Sequence, residues 1–295
     1  MVSPENQGKR VNLLKRKTAL MTRYAIILLS LTVTYSCTSN NKGEVVTESS
    51  GYANKELVMA TLYNYYSAEF MAASFQAFNI ASERITSIAG QKPTSKLAVV
   101  VDIDETILDN SPYQARTIET GQGYPAEWDE WCNLAAARPV PGSVEFLKLA
   151  DSLGYSIFYI SNRKEESVLE GTYKNLTELG FPQVDERHLM LRMKQSADNP
   201  APSDKESRRK KVESMGYEIV LLAGDNLGDF FTDAQSGNQR TDQVMELYKE
   251  FGNRFIVLPN AMYGNWPSSI NIDGSEEVYD SLLFVMTEPF REKGD

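Results

Sequence analysis

The sequence is poor in the side chains that most often build catalytic and metal sites. It has one histidine, His188, and two cysteines, Cys37 and Cys132, among 295 residues. A zinc centre takes three or four imidazole and thiolate ligands, so this composition argues against zinc. A Ser-His-Asp hydrolase would depend on His188 alone, and His188 lies in a strand-like stretch and reads as structural. Basic residues are in the minority: 30 Lys and Arg against 40 Asp and Glu, a net charge of −10. That balance argues against a nucleic-acid partner held on a basic face. Carboxylate is what the chain has in quantity, and carboxylates suit hard cations such as Mg2+. An apolar fraction of 42% and an aromatic fraction of 10% belong to a chain with a real core.

Residues 25–36 read AIILLSLTVTYS and follow Lys15, Arg16, Lys17 and Arg23. The run is too short to cross a bilayer as a helix, which takes about 20 residues. Basic residues followed by a short apolar run are the order of a secretory signal. The run closes on Cys37, ahead of the polar stretch TSNNKGEVVTESSG. This arrangement resembles a bacterial lipoprotein signal, in which the cysteine is lipidated and becomes the first residue. Tyr35 and Ser36 fit a relaxed form of that cleavage motif. The resemblance implies a signal peptide over 1–36 and a lipid-anchored polar linker over 37–53. It also implies export to the cell envelope and anchoring at the outer membrane. Met21 offers a second start with a compact leader, and a plain cleaved signal or an uncleaved anchor are the alternatives. Loss of 1–36, which holds six basic residues and one acid, leaves the mature chain at −15. Cys132 is then the single free thiol, and no intramolecular disulfide is available.

From residue 54 to 295 the pattern is that of one α/β domain. Leu62, Tyr66, Phe70, Ala73 and Ala77 recur at spacings of three and four and predict a helix over 54–89. LAVVVDID at 97–104 is a continuous apolar run that ends on acids, the mark of a parallel strand covered on both faces. The same design recurs at 155–163, 217–226 and 254–259. Helical patterns lie between. Val144, Leu147 and Ala150 precede Gly154; Leu169, Tyr173, Leu176 and Leu179 precede Gly180; glycine just past such a run stops a helix. Strands alternating with helices predict a Rossmann-like parallel sheet. The turn- and aromatic-rich stretch 109–140 reads as a small cap inserted after the first strand.

In open α/β sheets ligands bind beyond the carboxyl ends of the strands. After the first apolar run stand Asp102, Asp104 and Thr106; after the second, Ser161, Asn162 and Arg163; after the third, Asp225, Asn226 and Asp229. DKESRRKK at 204–211 opens a helix ahead of the third. Carboxylates that converge on one crevice repel each other unless a cation lies among them. Hydroxyl and ammonium donors beside that cation make a phosphate site.

VVDIDETILDNSPY (100–113) and IVLLAGDNLGDF (219–230) resemble the two signatures of the bacterial class C acid phosphatases, lipoprotein nucleotidases of the haloacid dehalogenase superfamily. The likeness extends to 67–85, EWDEW (127–131), SNR (161–163) and NAMYGNW (260–266). Ile107 stands where Val or Met is expected, and the loop 193–204 is longer than usual. The resemblance implies that Asp102 attacks phosphorus and that Asp104 is the general acid and base. It places Mg2+ on Asp102, Asp225 and the Asp104 backbone carbonyl, with Asp229 behind them as the residue that orients them or holds a bound water. Ser161 and Lys205 would hold the phosphoryl oxygens, with Lys194, Lys210 and Lys211 as competing lysines. Thr106 would shape the loop and Glu105 would be a structural partner. Trp128, with Trp131 as its rival, and Tyr263 would sandwich a nucleobase, and Asn162 would contact substrate. The expectation is a Mg2+-dependent phosphomonoesterase acting on nucleoside monophosphates. A non-catalytic ligand- or partner-binding lipoprotein on the same fold is the alternative, and a phosphomutase or phosphonatase a third. The oligomeric state is left open, a homo-oligomer included.

Overall fold

The computed structural model of the protein describes residues 55–193, 204–232, 237–271 and 276–291. The expected signal, linker and lipidation site at Cys37 lie outside the described residues, as do Met21 and Lys194. Two N-terminal helices, α1 (Lys55–Tyr66) and α2 (Ala68–Ala89), lead into strand β1 (Leu97–Val101). There follow β2 (Leu108–Asp109), α3 (Ser111–Thr120), α4 (Trp128–Leu134), β3 (Arg138–Pro139) and α5 (Ser143–Ser152). Then come β4 (Ser156–Lys164), α6 (Glu165–Glu178), β5 (Leu189–Arg192), α7 (Glu206–Ser214) and β6 (Glu218–Gly224). The last described elements are α8 (Gly237–Glu246), β7 (Phe255–Val257), α9 (Trp266–Ser269), α10 (Glu276–Met286) and α11 (Glu288–Arg291).

Five strands pair in parallel in the order β5-β4-β1-β6-β7. The four runs expected as strands are β1, β4, β6 and β7, and β5 lies just after His188. Continuous hydrophobicity has the expected cause. Val99 and Val101 pack with Phe70 and Phe78 of α2 and Phe146 of α5, while Ala98 and Val100 pack with Val212 of α7 on the other face. A bulge between Ala98 and Val99 shifts the β6 register, pairing Ala98 with Ile219 and Val99 with Leu221.

The single helix expected over 54–89 is two helices. Ser67 is extended, and its Oγ accepts the Phe70 N–H at 3.0 Å, an N-cap that starts α2 afresh. Leu62 and Tyr66 therefore do not share a stripe with Phe70; they are 45% and 76% exposed. The buried stripe of α2 is Phe70, Ser74, Ala77, Phe78, Ala81, Ile85 and Ile88. Helix α6 also differs from expectation. Leu169 and Tyr173 are exposed, and Val168, Gly171, Thr172, Asn175 and Leu176 face inward. The cause is close approach to α4. A Cβ on Gly171 would lie 2.5 Å from the Cys132 carbonyl oxygen and 2.6 Å from Asn133 Cα.

The insertion is formed as expected. β2 and β3 pair antiparallel through Leu108 with Pro139 and Asp109 with Arg138, and α3 and α4 lie between them. Tyr113, Trp128, Cys132 and Val168 form a small apolar cluster that fixes this cap to α6. Among the described residues no helix is long and apolar enough to cross a membrane.

Candidate active site

The site is assembled at the carboxyl ends of β1, β4 and β6. Asp102 continues β1, its N–H donating to the Ala223 carbonyl at 3.0 Å. The chain then closes a tight loop in which the Ile107 and Leu108 N–H groups both donate to the Ile103 carbonyl, at 3.0 and 2.9 Å. Glu105 takes a left-handed φ of 55° in this loop. Its carboxylate accepts the Asn110 N–H at 2.8 Å, and burial pushes it well above its ordinary range. Glu105 thus braces the loop from inside. Thr106 is buried in the same loop, with its Oγ1 3.5 Å from Asp225 Oδ1.

Asp104 is held from three sides. Arg163 donates to its Oδ1 from Nε at 3.0 Å and Nη2 at 2.8 Å, Asn110 Nδ2 donates to the same oxygen at 2.9 Å, and Ser161 Oγ lies 3.1 Å from Oδ2. Asp102 and Asp229 share Lys205: its Nζ contacts Asp102 Oδ1 and lies 2.6 Å from Asp229 Oδ1. Lys205 is only 7% exposed. Burial alone would lower its pKa, but the attraction of Asp102 and Asp229 outweighs burial and holds it as an ammonium.

β6 ends on Gly224 for a steric reason. A Cβ there would lie 2.3 Å from Asp229 Oδ2, so any larger residue would displace that carboxylate. Asp229 Oδ2 accepts the Asn226 N–H at 2.9 Å, closing a capping box over Leu227–Asp229. Asp225 accepts Asn260 Nδ2 at 2.7 Å.

Carboxylate oxygens of Asp102, Asp225 and Asp229 all lie within 4.8 Å of one another. Burial, and then the neighbouring acids, push Asp102 well above the usual carboxylate range, against the opposing pull of Lys205. Asp225 is pushed to about 7 by burial and by Asp229. Three acids against one ammonium leave a deficit of two positive charges. A divalent cation matches that deficit, and an all-oxygen donor set suits a hard one. These residues therefore fit a divalent metal.

The acids and Lys205 line one end of a cleft of about 800 Å3, whose other walls come from the cap and from 262–265. A family model described as HAD superfamily, subfamily IIIB (Acid phosphatase) matches residues 22–266. The chain belongs to this family. It is also similar to the class C acid phosphatase from Bacillus anthracis, at 38% identity and a TM-score of 0.68 over 78% of this chain and 95% of that one. The same protein with tungstate bound gives the same figures. Curated relatives include the stem 31 kDa glycoprotein of Glycine max, 30% identical over 56% of this chain and 57% of that one. The stem 28 kDa glycoprotein of Glycine max is 31% identical, over 56% and 58%. The chain thus spans less than two thirds of the length of these curated relatives.

The fold brings Asp102, Asp104, Ser161, Lys205, Asp225 and Asp229 together. Among the competing lysines, Lys210 pairs with Glu206 at 2.5 Å on the surface and Lys211 is exposed. Trp128 lines the cleft and is buried, with Tyr113 edge-on at 4.8 Å and the Arg163 guanidinium 5.6 Å from its ring centre. Trp131 donates its indole N–H to Asn110 Oδ1 at 2.8 Å and packs into the core, so Trp128 is the tryptophan on the cleft. Tyr263 and Asn162 also line it. His188 pairs with Asp185 at 2.8 Å, half-buried beside Phe158 and off the cleft.

Sequence reasoning passed over Asn110, Arg208, Asn260, Tyr124 and Gln114. Arg208 Nη1 donates to the Ser161 carbonyl and Nη2 to Asn162 Oδ1 at 2.6 Å, which ties α7 to the end of β4. Burial lowers its pKa to about 10. In sequence it stands in a basic run that reads as a solvated face. Asn110 and Asn260 sit inside motifs whose acids and aromatics drew the argument.

Proposed function

We propose that this acid phosphatase hydrolyses nucleoside monophosphates through an aspartyl-phosphate on Asp102, with Mg2+ as its cation, at the cell envelope. The observation that carries the reading is the cleft. One end gathers Asp102, Asp104, Lys205 and the acid cluster, with Ser161 buried behind Asp104, while Tyr113, Tyr124, Trp128 and Tyr263 line the rest. An anionic phosphoryl group fits the first end, and a flat base fits aromatic walls. The tungstate of the Bacillus anthracis relative, a tetrahedral oxyanion, supports a phosphate-shaped occupant.

In this reading an Asp102 carboxylate oxygen attacks phosphorus and the bond to the ester oxygen breaks. Asp104 gives the departing alkoxide its proton from Oδ2, the oxygen that faces Ser161 Oγ and not Arg163 or Asn110, and then takes one from the water that cleaves the aspartyl-phosphate. Lys205 and the Ser161 hydroxyl hold the phosphoryl oxygens, a preorganised trap for the charge that develops. Asp102, Asp225 and the Asp104 carbonyl would hold the cation, with Asp229 poised beside them. When bound, it supplies the positive charge that lets a carboxylate approach a phosphate dianion.

The test is phosphate release from a panel of phosphomonoesters, with Mg2+ and with chelator. Nucleoside monophosphates should lead the panel and chelation should abolish turnover. Asp104→Asn should impair esters with poor leaving groups most, because those alkoxides need the proton. Activity that survives chelation, or equal losses across leaving groups, would remove the corresponding part of the reading.

A further inference from the structure

Gln114 is a polar side chain on the cleft wall that holds no other protein group among the described residues. It is 8% exposed and lines the cleft. Its backbone is occupied: the N–H donates to the Asn110 carbonyl at 3.2 Å, and its carbonyl accepts from Thr117 Oγ1 at 2.9 Å. Among the described residues its side-chain amide has no hydrogen-bond partner. The other buried polar side chains on the cleft are engaged. Lys205 takes Asp102 and Asp229, Arg163 takes Asp104, and Arg209 Nη1 donates to the Gly228 and Asp229 carbonyls, both at 2.9 Å. Thr117 donates to Gln114 itself, and the Tyr113 hydroxyl donates to the Ala126 carbonyl at 2.9 Å. The amide atoms of Gln114 reach solvent, so water serves them until a ligand group takes its place.

Position and chemistry narrow what that group is. Gln114 lies one helical turn beyond Asn110, whose amide holds Asp104, so about 6 Å of α3 separates the two. Gln114 thus stands on the wall of the same cleft, one turn from the residue that holds Asp104. A carboxamide offers two donors and an acceptor, which matches hydroxyl groups that both give and accept. We propose that Gln114 binds the hydroxyls of a polyhydroxylated leaving alcohol, here the sugar of a nucleoside monophosphate, and selects substrates that carry them. The inference rests on the phosphomonoesterase reading above.

The test compares a ribonucleoside 5'-monophosphate with its 2',3'-dideoxy counterpart of the same base. Wild type should prefer the ribonucleotide. Gln114→Ala should lower kcat/KM for it by about 3- to 10-fold, the worth of a neutral hydrogen bond. The dideoxynucleotide should be spared, and inhibition by inorganic phosphate should be unchanged. Gln114→Met keeps length and packing, and it carries the test if the alanine variant unfolds at a lower temperature. Equal change on both nucleotides in these variants, or no change on either, overturns the role of Gln114 and leaves the phosphatase intact. A wild type that hydrolyses neither nucleotide overturns the reading beneath it, and the inference with it.

Discussion

Asp102 is in contact with the ammonium of Lys205, and Asp102→Asn would keep its size and an oxygen for that contact while removing the attacking carboxylate. Turnover should fall by about three orders of magnitude or more, as the loss of a covalent nucleophile does. Phosphate release from a variant that melts like wild type checks this, and a variant retaining a tenth of the rate ends the nucleophile assignment. The acid cluster gives a second prediction. Burial and Asp229 hold Asp225 at about 7, above the ordinary aspartate value of 3.8. A carboxyl raised on folding keeps a proton that the unfolded chain has released, so it destabilises the fold progressively as pH rises from about 4 to about 7. The metal-stripped protein should therefore melt lower at about pH 8 than at about pH 5, and added Mg2+ should recover more at the higher pH, because it favours the ionised acids. Thermal unfolding with and without chelator measures both. The acids of the site were legible because each closes an apolar run, where the topology itself creates a crevice. Arg208 and Gln114 were not legible. Arg208 finds Asn162 46 positions away, and Gln114 is defined by lacking a partner, which no spacing records.

Among the elements, the strands were the easiest to read, since a strand buried on both faces admits little but apolar residues. The helices were harder because more than one face offers a plausible stripe. Periodicity runs on through Ser67, and only the cap made by its hydroxyl divides α1 from α2. Leu169 and Tyr173 suggest a buried stripe on α6, but the face that packs is built of small residues around Gly171. That contact yields a prediction. Gly171→Ala would force its Cβ against Cys132 and Asn133, so α4 and α6 must separate. Overpacking of this kind costs about 1–3 kcal/mol. Because α4 carries Trp128, KM for nucleoside monophosphates should rise more than KM for a small aryl phosphate. Steady-state kinetics on both substrates and a melting curve check the two parts, and an unchanged melting temperature would contradict the close approach.

For the whole molecule, the linker over 37–53 would join the catalytic domain to a lipid at Cys37 and let it work at a distance from the membrane. Cys37→Ser should release the protein into the soluble fraction with its phosphatase activity unchanged. Fractionation of cells expressing each form measures this, and a mutant that stays with the membranes overturns the lipid anchor. Beyond Cys37 the chain has one thiol, Cys132, buried between the cap and α6. Burial pushes that thiol up to about 12, so at neutral pH it is protonated as well as out of reach, and a bulky thiol reagent has no thiolate to meet. Labelling must wait for the cap to part from α6 or for the chain to unfold. The reaction rate then becomes a clock set by the protein's own opening, and it runs slower whenever a phosphate-shaped ligand favours the closed form.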